Sequence, residues 1–155
     1  MAAVIHDPAR LAGRRTTVYP AAFAEGLKGR IKRALVDAGG LTQFGVNLTT
    51  LEAGAISALR HWHSSEDEFV YVLSGELTLV TDEGEELLGP GVAIAFPAGE
   101  PNAHQLANRG KAAATYLEVG TRAAADVITY PDDDLRLVKR DSQRLFVRKS
   151  GEPYE

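Results

Sequence analysis

Short runs of strand-forming residues, each stopped by glycine, proline, aspartate or asparagine, constrain this chain more than any other feature. Phe44–Leu51 stops at Glu52-Ala53-Gly54, Ile56–His63 at the polar turn Ser64–Asp67, and Phe69–Leu73 at Ser74-Gly75. Leu77–Val80 runs into Thr81-Asp82-Glu83-Gly84, an acidic glycine turn of the kind that joins antiparallel strands. Val92–Phe96 ends at Pro97-Ala98-Gly99, His104–Ala107 at Asn108-Arg109-Gly110, and Ala113–Val119 at Gly120. Turn signals spaced about ten residues apart leave no room for ordinary helices and predict an all-β sandwich or barrel. The one run of helical composition, Arg122–Val127, is too short to change the class.

The flanks read differently. Residues 1–15, with Pro8 and Gly13, form an arm expected to pack on the body or on a neighbour. Tyr19–Gly29 reads as a loop or short helical turn, and Ile31–Val36 as a strand ending at Asp37-Ala38-Gly39-Gly40. Leu135–Val138 and Leu145–Val147 give the tail two strand-like stretches, able to close the barrel edge or reach a second subunit. With 155 residues and no internal repeat, one domain spanning 1–155 is expected, its core at about 40–120. A net charge of −4 without a basic face argues against a nucleic-acid partner. No cysteine is present, so disulfides and thiolate ligation are excluded. No apolar run is long enough for a bilayer, and Met1–Arg15 lacks the apolar stretch of a signal peptide; no membrane association and a cytoplasmic location are expected.

Three of the four histidines carry the chemistry. In a strand, residues i and i+2 share a face, so His61 and His63 project together and Trp62 points away. Glu68 opens the next strand after a turn and can lie beside them, and His104 can join from another part of the sheet. An isolated His-x-His strand is more often a satisfied surface pair. Three imidazoles and a carboxylate, however, are a ligand set for a borderline transition metal. The fourth histidine, His6, is expected to be exposed.

Gly54, His61-Trp62-His63, Glu68 and Gly75 resemble the first motif of the cupin superfamily. Gly91, Pro97-Ala98-Gly99, His104 and Asn108 resemble the second, with a longer turn through Glu100-Pro101-Asn102. The phrases LRHWHS, DEFVYVLSGE and YLEVGTR look like a small single-domain cupin subgroup, some of whose members carry a sugar-phosphate-isomerase-like label. The resemblance implies a double-stranded β-helix, or jelly-roll barrel, with extended terminal arms. It also implies one divalent transition metal per chain (Fe, Mn, Zn or Ni) held by His61, His63, Glu68 and His104, with two octahedral positions open. Glu66 and Asp67 compete with Glu68 for the ligand role, and the motif spacing to Gly75 favours Glu68. Each ligand histidine should donate its second ring N–H to a carbonyl, carboxylate or water.

Alternation places Val70, Val72 and Leu106 on the inner face with the ligands, predicting a largely apolar metal environment. Tyr116 and Glu118 share a face, with Glu118 read as a surface acid ahead of a second-layer base. Arg60 and Trp62 fall on the outer face, where they would serve a dimer interface. A homodimer is expected, with residues 1–30 and 129–155 contributing. Two function classes remain. One is an enzyme using a mononuclear metal on a small polar metabolite, by dioxygenase or isomerase/epimerase-type chemistry. The other is a non-catalytic module that binds or senses a sugar or organic acid around a structural metal. No catalytic acid or base is legible, and fold membership does not decide between the two.

Overall fold

A computed structural model describes residues 2–155. The strands are β1 Arg30–Ala34, β2 Phe44–Leu51, β3 Trp62–His63, β4 Glu68–Ser74, β5 Leu77–Thr81 and β6 Gly84–Leu88, then β7 Ala93–Phe96, β8 Gln105–Ala107, β9 Ala114–Thr121, β10 Ala125–Tyr130, β11 Leu135–Arg140 and β12 Gln143–Val147. Two single helical turns, α1 Ala21–Ala24 and α2 Leu35–Ala38, interrupt the first third.

One wall is a five-stranded antiparallel sheet in the order β1-β2-β9-β4-β7. The other joins β12-β11-β10-β3 to β8-β5-β6 through isolated antiparallel bridges His61↔His104 and Ile56↔Ala107. The metal-ligand candidates therefore sit where two sheets are stitched together. Between the walls lie Leu51, Val70, Val72, Leu77, Leu79, Leu88, Leu106, Ala114 and Tyr116, several of them fully buried. This is the barrel that the punctuated strands predict, in the jelly-roll form that the cupin resemblance implies. Gly75 shows why one turn demands glycine: its φ is 76°, and a Cβ there would sit 2.8 Å from the Ala113 carbonyl and the Ala114 Cα.

β2 begins and ends where the sequence places it, and the acidic turn at Thr81–Gly84 does join antiparallel strands. Three expectations change. Ile31–Val36 is a strand only to Ala34, after which α2 turns the chain. Ile56–His63 is mostly irregular, because side-chain bonds interrupt a ladder that survives only as isolated bridges at Ile56 and His61. Arg30 donates to the Ser57 carbonyl and Gln105 to the Ala58 carbonyl, while Ser57 Oγ accepts from the Leu106 amide. Arg122–Val127 is not helical. Residues 125–130 form β10, which pairs with both β3 and β11, so tertiary pairing overrides the alanine content.

Both termini pack on their own chain. Tyr19 meets Tyr130 edge-on at 5.6 Å between centroids, and Phe23 meets Tyr154 at 5.7 Å, over a second core of Tyr130, Leu135 and Leu137. The N-terminal arm adds a further rung to β1, with reciprocal amide–carbonyl bonds between Arg14 and Lys32. Among the described residues no helix is long and apolar enough to cross a membrane. His6 is exposed.

Candidate metal centre

The four predicted ligands come together. Glu68 Oε2 lies 2.7 Å from His104 Nε2 and 3.6 Å from His61 Nε2, and Glu68 Oε1 lies 3.4 Å from His63 Nε2. His61 and His104 are both more than nine-tenths buried. Their convergence follows from the backbone. His61 and His104 exchange amide–carbonyl bonds across the bridge, and Gly99, in the Pro97-Ala98-Gly99 turn, donates its amide to the His63 carbonyl at 2.8 Å. Asp67 Oδ1 caps that turn through the Ala98 amide. Asn108, almost fully buried, binds the Leu51 and Ala112 carbonyls and the Gly110 amide, a clamp on the strand after His104.

Hydrogen bonds at the far side of two rings determine what the near side offers. His61 Nδ1 faces the Leu59 carbonyl at 2.7 Å, an acceptor only, so Nδ1 carries the proton. His63 Nδ1 likewise donates to Asp126 Oδ2 at 2.6 Å. In the neutral imidazoles, Nε2 then presents a lone pair toward the carboxylate. Glu68 Oε2 is buried without a hydrogen bond despite its close neighbours. Lone pairs facing a buried, unsatisfied carboxylate oxygen repel unless a cation stands among them, so these residues fit a divalent transition metal. His104 Nδ1 is buried with no protein partner, and the ring is stacked on Phe96 at 3.6 Å and 9°.

The electrostatics agree. Burial pushes the Glu68 carboxyl up, yet the imidazoles of His104, His61 and His63 hold it well below the usual carboxylate range. Burial pushes His63 down, but Asp126 and Glu68 outweigh it and lift its pKa to about 10. The extra proton on His63 occupies the charge position that a metal would take, and a metal bound there would release it. His104 is held below its ordinary value by burial, against the pull of Glu68.

Asp126 escaped the sequence reading. Its carboxylate is fully buried and also binds Ser64 Oγ and the Ser65 amide. Glu66, the competitor for the ligand role, sits behind His63, 3.8 Å from its Nδ1, where it is paired with Lys139 and accepts from the Ala123 amide. The triad His63, Glu66 and Asp126 is thus an orienting network in which Lys139 pairs with Glu66 and His63 with Asp126.

Two cavities meet at the centre, both bordered by His63, Glu68, Phe96 and His104. One, of about 220 Å³, is bordered by Trp62, Glu83 and Glu100, so Trp62 borders the site instead of an outer face. Arg60 is tied to Asp82 and Asp132. The other, of about 210 Å³, lies inside the barrel and corrects the expectation of apolar surroundings. Val70 and Leu106 line it as predicted, but so do Arg14, Arg30, Lys32, Arg144, Tyr116 and Glu118. Glu118 is no surface acid: its Oε1 is held by Lys32 Nζ at 2.6 Å and Asn47 Nδ2 at 3.0 Å. These polar groups come from β1, β9, β12 and the N-terminal arm, outside the two histidine segments.

The cupin-domain family model matches residues 47–120. A crystal structure from Silicibacter pomeroyi DSS-3, named a sugar phosphate isomerase from a cupin superfamily, is 47% identical. The match covers 96% of this chain and 95% of that one, with a TM-score of 0.91. A protein from Acidithiobacillus ferrooxidans with a provisional sugar phosphate isomerase name is 32% identical over 92% of this chain and 88% of that one, TM-score 0.81. The polyketide cyclase RemF from Streptomyces resistomycificus is 27% identical over 78% and 80%, TM-score 0.64. No curated protein matches. With both motifs folded around one carboxylate and such similarity over nearly the whole length, the chain belongs to the cupin superfamily.

Proposed function

We propose that this cupin is an enzyme using one divalent transition metal, held by His61, His63, Glu68 and His104, to isomerise or epimerise a small polar hydroxy-carbonyl metabolite. The observation that carries the reading is that the four donors open onto the same cavity wall as Glu118, the one further carboxylate there. A bound metal would supply Lewis-acid polarisation of a carbonyl oxygen. We assign Glu118, which lines the cavity with Oε1 held by Lys32 and Asn47, the role of taking a proton from the adjacent carbon and returning it. Tyr116, fully buried on the same wall, is a second polar contact for substrate. The names carried by the Silicibacter and Acidithiobacillus proteins favour this over dioxygenase chemistry.

The test is metal analysis of untagged protein, followed by proton NMR in deuterated water with a panel of hydroxy-aldehydes and ketones, free and phosphorylated. Exchange at the carbon beside the carbonyl, lost in Glu118→Gln with metal content intact, is the expected result. Metal-bearing protein that binds such compounds without exchange would leave the ligand-binding module; oxygen uptake would move the assignment to a dioxygenase. The expected homodimer belongs to the same proposal. Beside the terminal arms at 1–30 and 129–155, the exposed Phe69, Tyr71 and Leu73 of β4 add an apolar surface that a two-fold contact would cover. Light scattering at the 16.6 kDa mass of one chain would exclude it.

A further inference from the structure

Arg30 is the first residue of β1, and only 6% of it is exposed. Its guanidinium lines the inner cavity, and its hydrogen bond runs from Nη1 to the Ser57 carbonyl at 2.6 Å. Among the described residues no carboxylate pairs with it. That is unusual, because a buried charge without a counterion is costly to hold. The other charges of the cavity do not supply one. Glu118 is engaged by Lys32, Glu68 by the three imidazoles, and Arg14 and Arg144 add positive charge. The Arg30 charge reaches the hydroxyls of Tyr19 and Tyr116, which border the same space. Tyr116 contributes a buried hydroxyl whose nearest polar neighbour is the equally buried Thr49 hydroxyl on β2.

From a buried, unpaired guanidinium, a buried phenol and two further cations at the rim of one partly open cavity, we infer that the inner cavity holds an oxyanion, phosphate or carboxylate, carried by the metabolite that reaches the metal centre. Arg30 takes it through its planar fork, and Tyr116 donates to it. This rests on the reading that the inner cavity is the substrate's. It deepens that reading by naming the charge of the substrate and the residue that selects it. The metal end then receives the uncharged, oxygenated end of the same molecule, beside Glu118.

Isothermal titration of the protein as purified with inorganic phosphate, and separately with glycolate, tests the inference. One equivalent should bind. Phosphate binding more tightly indicates a phosphorylated metabolite, glycolate a hydroxy acid. Arg30→Met should weaken binding roughly 10- to 100-fold with metal content unchanged, whereas Arg136→Met, on the exposed side of β11, should change nothing. Should Arg30→Met fail to fold, Arg30→Lys decides, since it keeps the charge and loses the fork; roughly tenfold weaker binding is expected. No binding of either anion, or binding unaltered at Arg30, overturns the inference, because anion held by the metal alone would ignore that residue. The two readings fail separately. A protein without metal or turnover that still binds phosphate through Arg30 loses the enzyme and keeps the anion site. Carbon–hydrogen exchange with no dependence on Arg30 does the reverse.

Discussion

The two segments that bring histidines to the centre hold them by opposite means. His61 and His63 are aimed by hydrogen bonds at Nδ1, to the Leu59 carbonyl and the Asp126 carboxylate. His104 has no protein partner at Nδ1; packing against Phe96 aims it. A polar partner sets ring angle, tautomer and basicity together, whereas a stacked ring sets the angle alone. The first segment therefore controls the charge state of the centre, and the second contributes mainly a donor in the right place. The electrostatics reflect the difference: against burial, Asp126 and Glu68 lift His63 to about 10, while burial pushes His104 below its ordinary value.

Removing a donor from either segment gives the largest effect. His63→Ala and His104→Ala should each abolish stoichiometric metal and, with it, the rise in melting temperature on metal addition, because the ligand's stabilisation of the native state disappears. Elemental analysis and melting curves read both. Full metal in both variants would remove the centre as assigned.

Acidity separates the segments next. In metal-free protein His63 titrates near 10 against an ordinary value of 6.5. Its contribution to stability is thus complete below 6.5 and lost as pH rises through 10. Between those limits, metal binding must displace the His63 proton, so titrations at pH 8 in buffers of different ionisation enthalpy should show about one proton released per metal. A release near zero would mean that His63 is already neutral and that Asp126 does not govern it.

The legibility of the molecule follows the same division. Histidine pairs, glycine turns and the Pro97-Ala98-Gly99 bend are local patterns, and each of these turns and donors is where it was expected. Asp126 was hidden by the alanines before it. Read as a helix, Arg122–Val127 shows no inward face; read as a strand, Asp126, Ile128 and Tyr130 alternate onto one side, and a carboxylate among them marks a buried partner. Arg30 was hidden for another reason. A single arginine at the start of a strand looks like any solvated one, and only the closure of β1, β9 and the N-terminal arm over it makes it buried and unpaired. Glu118 was misread as a surface acid because nothing local marks its pairing with Lys32, two strands away.

The finest test sets the two orienting devices against each other, with Asp126→Asn and Phe96→Leu compared at the same metal and pH. Asp126→Asn removes the charge on His63 Nδ1 while keeping a hydrogen-bonding side chain of the same shape. Metal affinity should fall roughly 10- to 100-fold, the range for a lost partner behind a ligand histidine. The proton released on binding at pH 8 should fall as well, because His63 loses the carboxylate that raises it. Phe96→Leu keeps an apolar wall and removes the stacked ring, an interaction of roughly 0.5–1.5 kcal/mol, so a loss of only about two- to tenfold is expected. Proton release should be unchanged, because no titrating group at His104 Nδ1 is touched. Equal losses would mean that ring angle is all either partner provides. A larger loss for Phe96→Leu would make the stack, and not the carboxylate, the principal support of the centre.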